Sequence, residues 1–267
     1  MTVRWLTRGV DHLPDGEAWL SPAERDRAAS MRYQKRRSEF LVARFAAKHT
    51  IARAVEMPTD DLTRLATIEV RHRPTGAPMA YADGRPAGVA MSLTDRADWA
   101  VCVVANGDAV ALGCDLELVE PRSAGFVRDY LTPAEQATVA AADDPHLVAN
   151  LLWSAKESAL KVLETGLRRD TRSVEVTLLD GVGSEVAAGD RGGTSPPATA
   201  DADDTGWRPL EVHPVEGGVF PGWWRRAGQW LLSVAASGPI GPPVAFEEPN
   251  GLTTATPTHR WTEQLET

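Results

Sequence analysis

The sequence predicts an α+β fold made of two similar halves, and three observations carry that reading. A helix-start signature appears twice, 111 residues apart, as Ser21-Pro22-Ala23-Glu24 and Thr132-Pro133-Ala134-Glu135. Each copy is followed by a long stretch whose apolar residues recur every three or four positions, the period of an amphipathic helix. Apolar extended runs fill the intervals, so helices and strands interleave along the chain.

Each element follows from local chemistry. In both signatures a hydroxyl residue caps the helix, proline suits the first helical position, and a glutamate three residues on closes a capping box. The amphipathic stretches span roughly residues 36–56 and 147–165. Strands are expected at 68–71, 88–93, 99–104, 110–119, 172–179, 210–215 and 229–235. A turn at Asn106-Gly107-Asp108 separates the third and fourth of these. The halves are accordingly drawn as an N-terminal subdomain at 1–108 and a C-terminal one at 109–237. Residues 180–206 hold one base against six acids among Gly, Ser, Pro and Ala, which reads as a flexible insertion. Residues 238–267 read as a loosely ordered tail. Five of the nine tryptophans fall between Trp207 and Trp261, where packing at a core edge is the plainest role.

Composition narrows the function classes. With 267 residues, 43% hydrophobic and 24% charged, the chain can build a sizeable core. A net charge of −9 argues against long nucleic acid and against a polybasic membrane anchor. No apolar run reaches the ~18 residues of a membrane span. The N-terminal stretch lacks the pattern of a signal peptide, and two cysteines are too few for a disulfide framework. A cytoplasmic location is expected, with no nucleic-acid or membrane partner. The charge is unevenly shared. Between Glu24 and Arg53 nine basic residues face three acids, a local +6 that leaves −15 elsewhere. That segment is either a solvated helix face or a local anion site.

Two constellations could do chemistry. In Gly113-Cys114-Asp115-Leu116-Glu117, a strand puts Asp115 and Glu117 on one face, with Cα atoms roughly 6.5 Å apart. Cys114, Leu116 and Leu118 then face the other way. Paired carboxylates suit Mg²⁺, although two exposed acids on a half-buried strand is the plainer alternative. In Trp153-Ser154-Ala155-Lys156-Glu157-Ser158-Ala159-Leu160-Lys161, a helix stacks Glu157 on Lys161. An ordinary ion pair is one reading. A carboxylate that ligates metal or accepts a proton, beside a lysine that neutralises a phosphate, is the other. No Walker loop, GxGxxG, GxSxG or HExxH occurs, and the six histidines form no ligand spacing.

Together GCDLE at 113–117 and WSAKESALK at 153–161 resemble the 4′-phosphopantetheinyl transferase superfamily, specifically its larger, surfactin-synthetase-activating type. The resemblance extends to LSPAERDRAASMRYQKRRSEFLVAR near the start, RPTGAP at 73–78 and SLTDRADWAV at 92–101, and spans roughly 15–235. It implies two α/β subdomains related by a pseudo-twofold axis, with coenzyme A in the cleft between them and a monomeric enzyme. It implies transfer of the phosphopantetheine arm to a serine of an acyl or peptidyl carrier protein in polyketide or nonribosomal peptide assembly. By resemblance Asp115, Glu117 and Glu157 hold Mg²⁺. Glu157 is the base, Lys161 neutralises or protonates the leaving bisphosphate, and Lys156 assists at the phosphates. Arg36, Arg37, Arg44 and Arg73 are candidates for the nucleotide phosphates, beside Ser92, Thr94 and Asp95. Two positions depart from the family pattern: Asp95 replaces a histidine that contacts a coenzyme A phosphate, and Ala77 replaces a frequent lysine, with Arg73 or Arg96 as the cation that could compensate. Asp95 keeps a second reading open, a protein of the same fold that binds coenzyme A, a derivative or a carrier protein with altered or lost transferase activity.

Overall fold

The computed structural model describes residues 1–179, 206–247, 251–255 and 257. The N-terminal half runs β1 (Val3–Gly9), α1 (Pro22–Ala29), α2 (Gln34–Ala54), α3 (Leu62–Leu65), β2 (Ile68–His72), β3 (Pro78–Ala82), β4 (Arg85–Pro86), β5 (Val89–Arg96) and β6 (Trp99–Asn106). The C-terminal half runs β7 (Leu112–Leu118), α4 (Ala124–Tyr130), α5 (Pro133–Ala141), α6 (Pro145–Val162), β8 (Val174–Leu178), β9 (Arg208–Pro214), β10 (Phe220–Ala227) and β11 (Trp230–Ala236). The final strand is β12 (Val244–Ala245). This is the expected α+β architecture.

The strands form three sheets, in the orders β12-β1-β6-β5, β7-β11-β10-β9-β8 and β2-β3-β4. The first two sheets share one core, where Trp5, Val101 and Val103 meet Cys114, Leu116, Trp230 and Leu232. The opposite face of the first sheet packs on α2 through Cys102, Val104, Phe45 and Ile51. The opposite face of the second packs on α6 through Leu231, Leu152, Ala155 and Ala159. Alternation along each strand sends neighbours to different layers, as the pleat requires. Of the late tryptophans, Trp207, Trp224 and Trp230 are buried in these cores.

Both capping boxes form, Ser21 with Glu24 and Thr132 with Glu135. Each box glutamate also binds a buried lysine on the long helix that follows. Lys48 Nζ lies 2.7 Å from Glu24 Oε2, and Lys156 Nζ lies 2.8 Å from Glu135 Oε2. Both ammonium groups finish their coordination on two backbone carbonyls, one in the helical turn before the next strand and one at its first residue. Lys48 donates to Leu65 and Ile68, and Lys156 to Thr171 and Val174. The same ion-pair knot therefore ties down the helix of each half.

Several elements differ from the sequence reading. β1 and β10 carry no simple period, because β1 is interrupted by Arg4 and Arg8 and β10 by Pro221, Gly222 and two arginines. β5 runs on through Thr94, Asp95 and Arg96 before a two-residue turn at Ala97-Asp98, where both residues have positive φ. The expected flexible insertion lies outside the described residues, apart from Gly206. Part of the expected loose tail is packed: β12 pairs in parallel with β1, and Phe246 N–H donates to Trp5 O. Among the described residues, no helix is long and apolar enough to cross a membrane.

Candidate active site

β5, an edge of the first sheet, runs beside β7, an edge of the second. Two hydroxyls stitch them. Ser92 Oγ accepts from Cys114 N–H at 3.1 Å, and Thr94 Oγ1 accepts from Leu116 N–H at 3.2 Å. Over this seam lies α6. It comes close because residue 113 is glycine: a Cβ there would sit 1.8 Å from the carbonyl oxygen of Ser158. A buried serine cluster fixes the height of the helix, with Ser154 Oγ and Ser158 Oγ each 2.8 Å from Ser233 Oγ.

This packing brings Asp115, Glu117, Glu157 and Lys161 together. Lys161 Nζ donates to Cys114 O at 2.8 Å and to Asp115 Oδ1 at 3.1 Å. Thr94 Oγ1 donates to the same Oδ1 at 3.3 Å. Asp115 is 5% exposed, and its Oδ2 is buried with no hydrogen-bond partner among the described residues. Glu117 is held differently. Trp153 Nε1 donates to its Oε1 at 3.1 Å, and Arg96 and Arg122 lie 3.4 and 3.5 Å from its Oε2. Arg96 also pairs with buried Glu120 at 3.0 Å.

The charges perturb one another. Burial, then the carboxylates of Asp115 and Glu117, push Glu157 up to about 7, against the pull of Lys161. Burial works against the charge of Lys161, yet Asp115, Cys114 and Glu157 outweigh it and raise its pKa above the usual lysine range. Lys161 is thus a fixed cation rather than an acid near neutral pH. Among the described residues, no three His, Cys, Asp or Glu side chains form a ready metal-ligand set. The chemistry still suits a hard cation: the orphaned Asp115 oxygen and the repelled Glu157 carboxylate are oxygen donors that a divalent ion would satisfy.

Lys161 lines a cleft of about 870 Å³ between the halves. Its walls include His72, Arg73, Met91 and Ser92 from the N-terminal half and Val110, Leu112 and Arg168 from the C-terminal half. Arg73 is exposed there, 3.7 Å from Glu164. Arg44 is buried against Glu24 and over the Phe40 ring; it senses the charge of Asp95, and after burial its own charge lowers His72. Arg36 is exposed and Arg37 pairs with Glu17, both in the first turn of α2. That turn carries no acid, so its positive charges oppose the helix dipole.

One predicted residue is placed elsewhere, and another stands beside the cluster on the other face of β5. Lys156 is fully buried in its knot with Glu135, away from the cleft lining, because only a paired and hydrogen-bonded ammonium tolerates such burial. Asp95 alternates with Thr94 along β5 and shares its surroundings with Glu39 and Arg44 of α2. Asp95 keeps an exposed surface, yet desolvation by the protein around it, and then Glu39 and Asp115, push its carboxyl up to about 6 against Lys161 and Arg44. The sequence reading omitted Trp153 as a donor and Arg122, and offered Arg96 as a cation for a coenzyme A phosphate rather than as the partner of Glu117 and Glu120. Arg96 lies two residues after Thr94 on one strand face, a spacing that could have found that partnership.

Residues 111–204 match the family model of the 4′-phosphopantetheinyl transferase superfamily. The matched span contains β7 and α6, and with them Asp115, Glu117, Glu157 and Lys161. A solved structure, the holo-[acyl-carrier-protein] synthase of Thermotoga maritima, is similar at 19% identity over 49% of this chain and 74% of that one, with a TM-score of 0.31. None of the curated proteins compared matches the chain.

Proposed function

We propose that this chain transfers the 4′-phosphopantetheine arm of coenzyme A to a serine hydroxyl of an acyl or peptidyl carrier protein, with Mg²⁺, as the surfactin-synthetase-activating enzymes do. The observation that carries the reading is the Asp115–Glu157–Lys161 constellation, whose Lys161 lines the cleft between the halves. A carboxyl near 7 is poised to take up a proton at working pH. Glu157 accepts the proton of the carrier serine as its oxygen bonds to the β-phosphorus of coenzyme A. The bond from that phosphorus to the bridging oxygen breaks, and adenosine 3′,5′-bisphosphate leaves. Lys161, held protonated, offsets the charge that develops on the leaving oxygens. Asp115 and Glu157, with Glu117 beside them, would hold Mg²⁺, which supplies charge stabilisation at the pyrophosphate. Arg73, Arg44, Arg36 and Arg37 supply cations for the nucleotide phosphates, with Ser92 and Thr94 shaping the seam between them. Lys156 is assigned to the fold and not to the phosphates.

The test is direct. The protein, coenzyme A and Mg²⁺ are incubated with apo carrier proteins of polyketide and nonribosomal peptide type, and the covalent mass increase is read. Glu157→Gln abolishes transfer while circular dichroism stays unchanged. A folded wild-type protein that modifies no carrier sinks the transferase reading. It would favour the second one, a coenzyme A or carrier binder, for which Asp95 is the specific observation.

A further inference from the structure

The two buried lysines set the halves in register. His49 follows Lys48 as Glu157 follows Lys156, and Arg53 stands five residues beyond Lys48 as Lys161 does beyond Lys156. β1 and β7 correspond as well, since each pairs antiparallel with the last long strand of its half, β6 and β11. The counterpart of the Asp115–Glu157–Lys161 site is therefore the place where β1 meets His49 and Arg53. A second cavity, about 320 Å³, lies there, lined by Trp5, Arg8, His12, Phe45, His49 and Glu247 among others.

Its charge is inverted. Where β7 offers Glu117, β1 offers Arg8 in the same register, one residue before the partner of the tryptophan that opens β11 or β6, and 13% exposed at the side chain. Where α6 offers Glu157, α2 offers His49, 8% exposed, whose Nδ1 is 3.4 Å from Arg8 and whose buried Nε2 has no hydrogen-bond partner among the described residues. Since the guanidinium only donates, that contact makes Nδ1 the acceptor and leaves Nε2 as a spare donor. The acid supplied to the group comes from the far end of the described chain. Glu247, just beyond β12, takes Arg8 in a fork at 2.8 and 3.2 Å and Arg53 at 2.9 Å. These donors hold its carboxyl below the usual range, against the effect of burial. Paired N–H···O bonds of this kind select a planar carboxylate over a spherical anion.

We propose that the N-terminal half carries a carboxylate-binding site, the charge-inverted counterpart of the candidate active site, and that the chain fills it in cis with Glu247. The ligand class is a carboxylate, and β12 is the strap that delivers it. This does not depend on the transferase reading. The test is chemical rescue on the full chain. Glu247→Ala lowers the melting temperature by several degrees. Sodium acetate or formate then restores much of that loss, whereas sodium chloride at equal ionic strength and pH does not. Adding Arg8→Gln to Glu247→Ala removes the acetate effect. An unchanged melting temperature in Glu247→Ala, or equal responses to acetate and chloride, overturns the proposal. Glu247→Gln, which keeps the shape and loses the charge, melts between wild type and Glu247→Ala; a melt equal to wild type also overturns it.

Discussion

Replacing Gly113 by alanine adds one carbon at the closest approach between β7 and α6. That carbon would lie 1.8 Å from Ser158 O and 2.8 Å from Ser158 C, inside the contact distance of any real pair. To reach 3.4 Å, the lower edge of ordinary contact, the carbonyl must retreat by about 1.6 Å. Both neighbours are backbone, so no side chain can rotate away. Ser158 follows Glu157 and shares its helix with Lys161, so the retreat acts on the 2.8 and 3.1 Å contacts of Lys161 with Cys114 O and Asp115. It also pulls on the Ser158–Ser233 contact. Overpacking of this kind costs about 1–3 kcal/mol, within the stability of an ordinary domain. A misplacement near 1 Å at reacting groups costs on the order of a hundredfold in rate. Gly113→Ala should remain folded at 25 °C, with its urea midpoint lowered, and lose about a hundredfold or more in the single-turnover rate of carrier modification. A rate within a few-fold of wild type would refute the argument that this glycine sets the distance between Asp115 and the α6 groups.

Three further predictions follow from the same geometry. Lys156→Met strands Glu135 in the interior and should cost about 3–5 kcal/mol in urea unfolding; it should leave the Michaelis constant for coenzyme A within twofold, and a large rise in that constant would return Lys156 to the phosphates. Asp95→His removes a carboxylate where the family resemblance expects a cationic partner for a coenzyme A phosphate. Two unit charges ~4 Å apart repel by about 4 kcal/mol at an effective dielectric near 20, and exposure reduces this, so the Michaelis constant for coenzyme A should fall about tenfold and that for dephospho-coenzyme A should not; equal effects on both donors sink the repulsion argument. His49 is pushed down to about 4 by burial and then by Arg8, below the ordinary 6.5. As pH falls the unfolded chain protonates first, so this contribution is intact above 6.5 and is lost toward 4, on the order of 3 kcal/mol in all. His49→Gln should lose less stability than wild type between pH 7 and 4.5, and parallel losses would exclude His49 as the group.

Much of the fold was legible because its signals are local. The capping boxes, the long helices and the alternation that sends Cys114 and Leu116 opposite to Asp115 all depend on residues within a few positions. β1 was not legible, because its partners are far away in sequence and arginines break its pattern; β10 pairs with its neighbours β9 and β11, but Pro221, Gly222 and two arginines break its alternation. Gly222 is required by tertiary contact alone: a Cβ there would meet Leu210 and Val234 O at 2.6 Å. The candidate site was legible in its members but not in its bonds. Nothing near Glu117 announces Trp153 or Arg122, which reach it from α6 and from the loop after β7. The basic segment at 24–53 read as one possible anion site is divided by the fold. Lys48 neutralises Glu24 in the interior, Arg53 meets Glu247, and Arg44 is buried between Glu24 and the Phe40 ring.

The two halves separate scaffold from chemistry. A capping-box glutamate, a buried lysine and two carbonyl acceptors occur in both, so they are what a long helix needs to lie on its sheet. One residue further along each helix the halves part, with His49 against Glu157, and the partners on β1 and β7 part with them, Arg8 against Glu117. Lys156 and Glu157 are adjacent in sequence yet fall on different sides of that division, because consecutive helical positions point about 100° apart. A motif read as a string joins them. The duplicated knot divides them: Lys156 is held by Glu135, whereas Lys161 meets Asp115 as its counterpart Arg53 meets Glu247. The net charge of −9 then hides two sites of opposite sign: a basic one closed by the chain's own Glu247, and an acidic one whose Asp115 and Glu117 are met by Lys161, Arg96 and Arg122.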